Sequence, residues 1–339
     1  MRDEILTAPR DISAEAAAGL SRVRFVAAKN ADRTKKGPWL TVRGVRGGRL
    51  DEVELLDEAG EAEVNQFSQG IFFEGCDGLR VSGLRVSGAG YLGVNIRAGR
   101  DLVFEDVETT RCFTGFGVES QWTPTYGLTV RRARLHDNWN PIHALNPTPA
   151  SVLRPGEHMG WSGFGLHGVV DGLIEDVVIY GESAGAKLTS CRGVTVRRLL
   201  TAHLSLKGQH SQTTGNPPHH WDNPAQGIRD VVLEWMVLRK SLTDSDRCQR
   251  MNGVQASRNV DATLVDCELL GQGHPGHAIQ AADGARIRLQ RGLVGGWNGI
   301  AVDVPAAAFD VKPSSASEIT YDGTVFVDQE RIWSGRSIQ

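Results

Sequence analysis

Several features that mark other protein classes are missing from this 339-residue sequence. No apolar run reaches the length of a transmembrane helix, and the start Met1-Arg-Asp-Glu lacks the basic segment and apolar core of a secretory signal. We therefore expect no membrane partner. The chain as it stands is expected to be cytoplasmic, or secreted if a signal peptide has been removed.

An excess of charge of either sign is also missing. The sequence has 37 Lys and Arg residues and 40 Asp and Glu residues, so its formal net charge is −3. A general nucleic-acid-binding protein carries a basic stripe, so we expect no nucleic-acid partner. The five cysteines include no Cys-x-x-Cys spacing. We expect them to be buried thiols.

What the sequence does contain is 40 glycines and a repeated pattern. Residues 93–107 align without a gap with residues 185–199, and apolar residues meet apolar or small ones throughout. A repeat this short cannot bury its own apolar face and must stack on the next copy. Successive copies, 20 to 24 residues apart, are expected to start at Ile71, Val94, Val118, Ile142, Leu166 and Ala186.

The apolar residues within each copy alternate in steps of two, as Val94 and Ile96 do, which is the periodicity of a strand. Leucine-rich repeats need a Leu and Asn pattern that is missing, and helical repeats are longer. The sequence therefore predicts an all-β, right-handed parallel β-helix (β-solenoid). We expect one domain over 1–339, with a cap at 1–22 that includes a short helix at 11–20, coils at 23–312 and a closing segment at 313–339.

Neighbouring side chains of a strand point to opposite faces, so the residue after each start should point outward. The expected outward ladder is Phe72, Asn95, Glu119, His143, His167, Lys187, Gln255 and Gln280. At about 4.8 Å per strand, His143 and His167 should be neighbours, and Asn95 should lie about 19 Å from Lys187. A solvated face would also be polar, but two adjacent imidazoles with a carboxylate and an ammonium group favour a functional groove.

Two large loops, 146–163 and 211–223, interrupt the repeat beside this ladder. Tryptophans outside the strands are typical of sugar-stacking platforms, although packing within the loops would explain them equally well. The candidate substrate-binding residues are Asn95, Trp122, Trp139, Trp161, Lys207, His210, His220, Trp221 and Asp222. We expect a carbohydrate or another small polar substrate.

The coil pattern resembles the pectate-lyase-like right-handed β-helix superfamily over residues 20–312. The resemblance implies a carbohydrate-active protein that cleaves or epimerises acidic sugars or hydrolyses glycosidic bonds. One subgroup, the alginate and chondroitin lyases, carries an Asn-Glu-Glu calcium site. Asn95 and Glu119 match its first two positions, but His143 stands at the third, and imidazole is a poor calcium ligand. We expect no cofactor. The alternatives are a calcium ion, or a transition metal bound by Glu119, His143 and His167.

The residue types on the ladder discriminate between reactions. Glycoside hydrolysis uses two carboxyl groups, about 5–5.5 Å or 6.5–9.5 Å apart, and the ladder offers only Glu119. Abstraction of a proton next to a carboxylate needs a base, an acid and positive charge. His143 and His167 supply the first two and Lys187 the third, with Glu119 orienting an imidazole. The expected activity is therefore that of a lyase or C5-epimerase on a uronic-acid-type sugar.

Two alternatives remain open. A glycoside hydrolase or transglycosidase would pair Glu119 with a loop carboxylate such as Asp137, Glu157 or Asp222. A non-catalytic glycan-binding β-solenoid would use the same groove without turnover.

Overall fold

The structure is a computed structural model, and it describes residues 1–12, 20–28, 37–58, 68–112, 114–120, 123–138, 163–180, 185–208, 227–239, 253–257, 259–274, 277–282, 284–297 and 317–327. The described strands are, in chain order, β1 (Arg2–Leu6), β2 (Arg10–Ile12), β3 (Ser21–Ala27), β4 (Gly37–Arg43), β5 (Arg49–Asp57), β6 (Ser68–Glu74), β7 (Arg80–Ser82), β8 (Arg85–Ser87), β9 (Leu92–Arg97), β10 (Val103–Glu105), β11 (Glu108–Thr110), β12 (Thr114–Glu119), β13 (Thr125–Tyr126), β14 (Thr129–His136), β15 (Phe164–His167), β16 (Val169–Val170), β17 (Leu173–Tyr180), β18 (Ala186–Thr189), β19 (Thr195–Thr201), β20 (Leu204–Lys207), β21 (Ile228–Glu234), β22 (Val237–Arg239), β23 (Val254–Ser257), β24 (Val260–Val265), β25 (Glu268–His274), β26 (Ile279–Ala282), β27 (Arg286–Gln290), β28 (Leu293–Trp297), β29 (Glu318–Asp322) and β30 (Val325–Val327).

These strands form two long parallel sheets wound into one coil, which confirms the predicted right-handed parallel β-helix. The sheet that carries the candidate ladder, here called the groove sheet, has the order β2-β4-β6-β9-β12-β15-β18-β20-β23-β26. The second sheet, here called the back sheet, contains all the other described strands except β13 and β16, which pair with each other in a small third sheet. Each turn of the coil contributes one strand to the groove sheet and one or two to the back sheet.

The predicted capping helix at residues 11–20 is not supported. Arg10–Ile12 forms β2 and pairs with β4, and Arg2–Leu6 forms β1 and pairs with β3, so a first coil already exists ahead of the predicted one. Residues 13–19 lie outside the described residues. At the far end, β29 and β30 extend the back sheet by a further turn. Within the described ranges no helix has the length and apolarity needed to cross a membrane.

Inward side chains of the two sheets meet in one continuous apolar core. Behind the ladder this core is aromatic. The Phe104 ring lies edge-on to Phe73 and Phe116, with centroids 5.1 and 5.4 Å away, and Phe116 stacks on Phe164 at 5.5 Å. Aromatic pairs in these geometries add to the free energy of burial. These rings connect β6, β12 and β15 of the groove sheet to β10 of the back sheet, behind the face that presents the candidate site.

The repeat has a different register from the predicted one at two turns. Val94, Phe116, Phe164 and Ala186 are successive partners across the groove sheet. The predicted starts Val118 and Leu166 each lie two residues too late. Because β12 pairs directly with β15, no strand stands between them, and the turn predicted to begin at Ile142 is wrong. Residues 139–162 lie outside the described residues and connect the back-sheet strand β14 to β15.

Candidate functional site

Two rows of outward side chains run side by side along the groove sheet. The residues on either side of them, such as Val94 and Ile96 around Asn95, belong to the core, which places the rows on the outer face. The first row consists of successive partners Phe72, Asn95, Gly117, Gly165, Lys187, Ser205, Gln255 and Gln280. The second row, two residues later, is Glu74, Arg97, Glu119, His167, Thr189, Lys207 and Ser257.

The predicted ladder is therefore correct at both ends and wrong in its middle. Asn95 and Lys187 occupy the first row as predicted, but Glu119 and His167 belong to the second row, beside each other. His143 does not lie between them, since their strands are direct neighbours, and the residue itself is outside the described ranges. The site is consequently shorter: Asn95 and Lys187 are three strand steps apart, or about 14 Å.

Two glycines in the first row, Gly117 and Gly165, separate Asn95 from Lys187. They leave that row without side chains directly beside Glu119 and His167, an arrangement here called the glycine gap. A Cβ atom on Gly117 would lie 2.6 Å from Cδ2 of Leu92, so this side chain already covers that end of the gap. Gly165 is buried and lies between His167, two residues later in the same strand, and its strand partner Lys187.

The carboxylate side of the gap is organised by hydrogen bonds. Asn95 is fully buried, and its Nδ2 donates to Oε1 of Gln69 at 2.9 Å and to Oε2 of Glu119 at 3.1 Å. The hydroxyl of Tyr91 donates to the other Glu119 oxygen at 3.2 Å. Burial, and then the negative charge of Glu119, raises the pKa of Tyr91, so this phenol stays protonated as a donor. The network holds the Glu119 carboxylate in place.

Tyr91→Phe tests the strength of this network. We expect it to lower the free energy of unfolding by about 1–2 kcal/mol, because the mutation removes a hydrogen bond to a charged group. Urea unfolding measures the change. Tyr126→Phe, on a half-exposed ring at another corner, is the control and should leave stability unchanged. Equal stabilities for both variants would show that the Tyr91 hydroxyl contributes nothing to holding Glu119.

The ammonium side of the gap is formed by Lys187 and Lys207. Burial, and then repulsion from Lys207, lowers the pKa of Lys187 to about 8. Lys207 lies one strand further along in the second row, next to Thr189. The Thr189 side chain is buried and its Oγ1 has no hydrogen-bond partner among the described residues. The two ammonium groups come from adjacent strands and repel each other.

Comparisons with known proteins agree with this architecture. No family model matches the chain, and no curated protein sequence matches it. Among solved structures, the catalytic unit of an α-1,3-glucanase from Streptomyces thermodiastaticus is 10% identical with a TM-score of 0.50, and the match covers 96% of this chain and 61% of that one. This likeness shows the fold, a right-handed parallel β-helix.

Two further matches to this β-helix have lower TM-scores. An alginate lyase from Paenibacillus is 11% identical. The match covers 93% of this chain and 98% of the lyase, with a TM-score of 0.45. The mannuronan C-5 epimerase A-module of Azotobacter vinelandii is 12% identical. The match covers 93% of this chain and 90% of the epimerase module, with a TM-score of 0.35.

Eight predicted site residues lie outside the described part of this β-helix, and the structure does not place them. They are Trp122, Trp139, His143, Trp161, His210, His220, Trp221 and Asp222. In the chain, residues 121–122 and 209–226 follow closely on the strands that carry Glu119 and Lys207. Asp137, a possible second carboxylate for hydrolysis, is described: it binds His136 Nδ1 at 2.9 Å, at the end of the back-sheet strand β14.

The described residues offer some of the groups that a metal site would need. Asn95 donates its Nδ2 to the Glu119 carboxylate, and its Oδ1 is buried without a partner in the described ranges. The next second-row residue is the His167 imidazole, which suits calcium poorly. No group of three His, Cys, Asp or Glu in the described residues is arranged to hold a metal ion. The expectation of no cofactor, with calcium or a transition metal as the alternatives, stays a prediction that elemental analysis tests.

Sequence reasoning missed three members of the site: Gln69, Tyr91 and Thr189. Gln69 precedes the first predicted start, Ile71, and Tyr91 precedes the start at Val94, so neither belongs to the predicted ladder. Thr189 lies two residues after Lys187, in a second row that the predicted register did not include. The alternation that placed Lys187 outward also places Thr189 outward, because both residues lie in β18, two positions apart.

Proposed function

We propose that this protein is a carbohydrate-active enzyme that removes a proton next to the carboxylate of a uronic-acid-type sugar, as a lyase or C5-epimerase does. The proposal rests on the site, because this fold carries many different activities. The observation that carries it is the glycine gap, which has an imidazole, two ammonium groups and a fixed carboxylate on its borders.

In this proposal His167 exchanges the proton at C5, and Lys187 with Lys207 binds the substrate carboxylate. Positive charge at that point stabilises the enolate-like intermediate, which holds more negative charge on the carboxylate than the substrate does. Tyr91 and Asn95 hold the Glu119 carboxylate in place on the strand next to His167. In an elimination, the C4–O bond breaks as the C4–C5 double bond forms, and the leaving oxygen takes the proton that His167 removed from C5. In an epimerisation, a water molecule on the opposite face of the ring gives C5 a proton, and His167 releases its own proton to solvent.

Incubation of uronate-containing oligosaccharides in D₂O tests the shared step. Both reactions break the C5–H bond, so we expect deuterium at C5 in an epimerised product, or ultraviolet absorbance from an unsaturated product. New reducing ends with neither signal would favour a hydrolase. Calorimetric binding with no chemical change would favour a glycan-binding β-solenoid.

The pH dependence provides a separate test. Lys187 binds the carboxylate only while protonated, and its pKa is about 8. We therefore expect KM to rise as the pH rises through that value, by about tenfold per pH unit. In Lys207→Met the repulsion is gone, so the rise should begin at a higher pH. A KM that stays constant up to about pH 9.5 would contradict the role of Lys187.

A further inference from the structure

The back sheet bends at one residue in successive coils, and these residues stack into a row, here called the corner row. All of them have a left-handed backbone, with φ between 49° and 67°. The residues on both sides of the bend pair in register from coil to coil, so each corner residue lies one strand step from the next. In order, the corner row is Arg22, Glu52, Gly83, Asp106, Arg132, Asp176, Arg198, Trp235, Asp266, Arg291 and Gly323.

A left-handed backbone is unfavourable for a residue with a Cβ atom, and most of all for a bulky one. Gly83 and Gly323 avoid this cost because they have no Cβ atom. The charged residues of the row offset it by pairing with one another. The pairs are Arg22–Glu52 at 3.0 Å and three bidentate ones, Arg132–Asp106, Arg198–Asp176 and Arg291–Asp266, whose shorter contacts are 2.7, 2.5 and 2.7 Å.

Trp235 is the exception within the described corner row. Its φ is 53°, and its backbone N–H donates to Val265 O at 3.0 Å, so the strand ladder fixes this conformation. The side chain is 49% exposed. The arginine before it and the aspartate after it are each paired with the residue beyond, so Trp235 takes no part in the ion-pair pattern. An asparagine here would strain the backbone less and expose no apolar ring. A strained, exposed indole is therefore better explained by binding than by stability.

The apolar area around Trp235 is small. Its neighbours on the outer face are Leu200, which is exposed, and Val237, which is half-buried, and these two are strand partners. The exposed half of one indole amounts to roughly 100 Å². A stable protein interface takes about 800 Å² from each partner, so this area is too small to hold a second protein and fits a small rigid ligand.

The charged groups around Trp235 balance one another. Arg197 pairs with Glu234 at 2.6 Å, and Arg198 also contacts Glu175 at 2.7 Å. These guanidinium and carboxylate groups offer donors and acceptors beside the indole without an excess of either charge. A neutral sugar ring has the matching properties, since its C–H face stacks on an aromatic surface while the hydroxyls on its rim donate and accept hydrogen bonds.

We infer that Trp235 is the platform of a second glycan-binding site, on the back sheet and apart from the groove, and that this site takes a neutral sugar ring. Such a site keeps the protein on a glycan chain while the groove is empty. It involves none of the groove residues, so it stands or falls independently of proton abstraction at C5.

Fluorine NMR of the protein labelled with 5-fluorotryptophan tests the inference, with cellohexaose as the neutral probe. The Trp235 resonance is assigned from its loss in Trp235→Asn, and that of the buried Trp297 from its loss in Trp297→Phe. We expect cellohexaose to shift the Trp235 resonance in a saturable way and to leave the Trp297 resonance unchanged. Hexagalacturonate, an acidic probe of the same length, should need a several-fold higher concentration for the same shift.

Affinity electrophoresis through hydroxyethyl cellulose gives a second readout. The wild type should be retarded, Trp235→Tyr should keep most of the retardation because it keeps an aromatic face, and Trp235→Asn should bind about tenfold more weakly or less. Asparagine tolerates a left-handed backbone, so we expect Trp235→Asn to unfold at the same or a higher urea concentration than the wild type.

Several outcomes overturn the inference. A Trp235 resonance that stays unmoved at millimolar cellohexaose does so, as does equal or tighter binding of hexagalacturonate. A shift that follows protein concentration without any sugar assigns the ring to a contact between two copies of this chain. A clear loss of stability in Trp235→Asn together with an unmoved resonance assigns it to packing. Each of these results leaves the D₂O test of the proposed function unaffected.

Discussion

Lys187→Met is expected to abolish turnover and at the same time to stabilise the protein. Lys187 is mostly buried, and its pKa lies near 8, against 10.5 for an ordinary lysine, because burial and Lys207 disfavour its charged form. The folded state at neutral pH therefore holds a charge that it would be more stable without. Methionine fills similar space with no charge, and we expect a gain in unfolding free energy of about 1–3 kcal/mol at pH 7.

The sign of the pH dependence follows from the lowered pKa. Between about pH 8 and 10.5 the unfolded chain holds more protons on this lysine than the folded one, so wild-type stability rises over that window. The advantage of Lys187→Met should therefore be largest below pH 8 and should shrink above it. Denaturant unfolding at pH 7 and at about pH 9.5 measures both values.

The matched control is Gln255→Met, which removes a neutral polar group from the same row. It should produce a much smaller change in stability that does not vary over this pH window. If Lys187→Met instead destabilises the protein and retains activity, Lys187 has a structural role and the anion site is elsewhere.

His167→Gln is expected to lower kcat by about 10²–10⁴-fold with little change in stability. His167 is the imidazole that the described groove sheet places beside the glycine gap, one strand step from Glu119. Glutamine keeps a polar side chain of comparable length but has no group that titrates near neutral pH. The rate of C5 deuterium incorporation at saturating substrate reports this step directly, independently of substrate binding.

His136→Gln is the control of the same residue type. Its imidazole binds Glu108 at 3.2 Å and Asp137 at 2.9 Å and stacks on Tyr180, on the outer face of the back sheet. Its replacement should leave kcat unchanged. His143→Ala, made in parallel, tests the other predicted imidazole. Loss of exchange in His143→Ala with full activity in His167→Gln would assign the proton transfer to His143.

The outward rows of the groove sheet were predictable in part because strand alternation is a strong signal. Asn95, Lys187, Gln255 and Gln280 were each placed outward by the core residues on both sides of them, and the structure confirms their shared row. The uninterrupted alignment of residues 93–107 with 185–199 is confirmed as well, because Val94 and Ala186 are in register through Phe116 and Phe164.

The errors in the middle of the predicted ladder, at Glu119 and His167, have one physical cause. A shift of two residues keeps the inward face apolar and the outward face polar, so alternation alone cannot distinguish Phe116 from Val118 as the partner of Val94. The hydrogen-bonded pairing decides it. The long connection before β15 added a second error, since its length allowed one more turn to be counted around Ile142.

The sequence by itself determined a coil of parallel strands, since only such stacking buries a two-residue alternation repeated at this short period. It also determined which residues face outward. The tertiary structure alone decided which outward residues are neighbours, because strand register depends on hydrogen bonds between segments far apart in the chain. That register brings Glu119 beside His167, with the glycine gap next to them. It also brings the Tyr91 hydroxyl within hydrogen-bond distance of the Glu119 carboxylate.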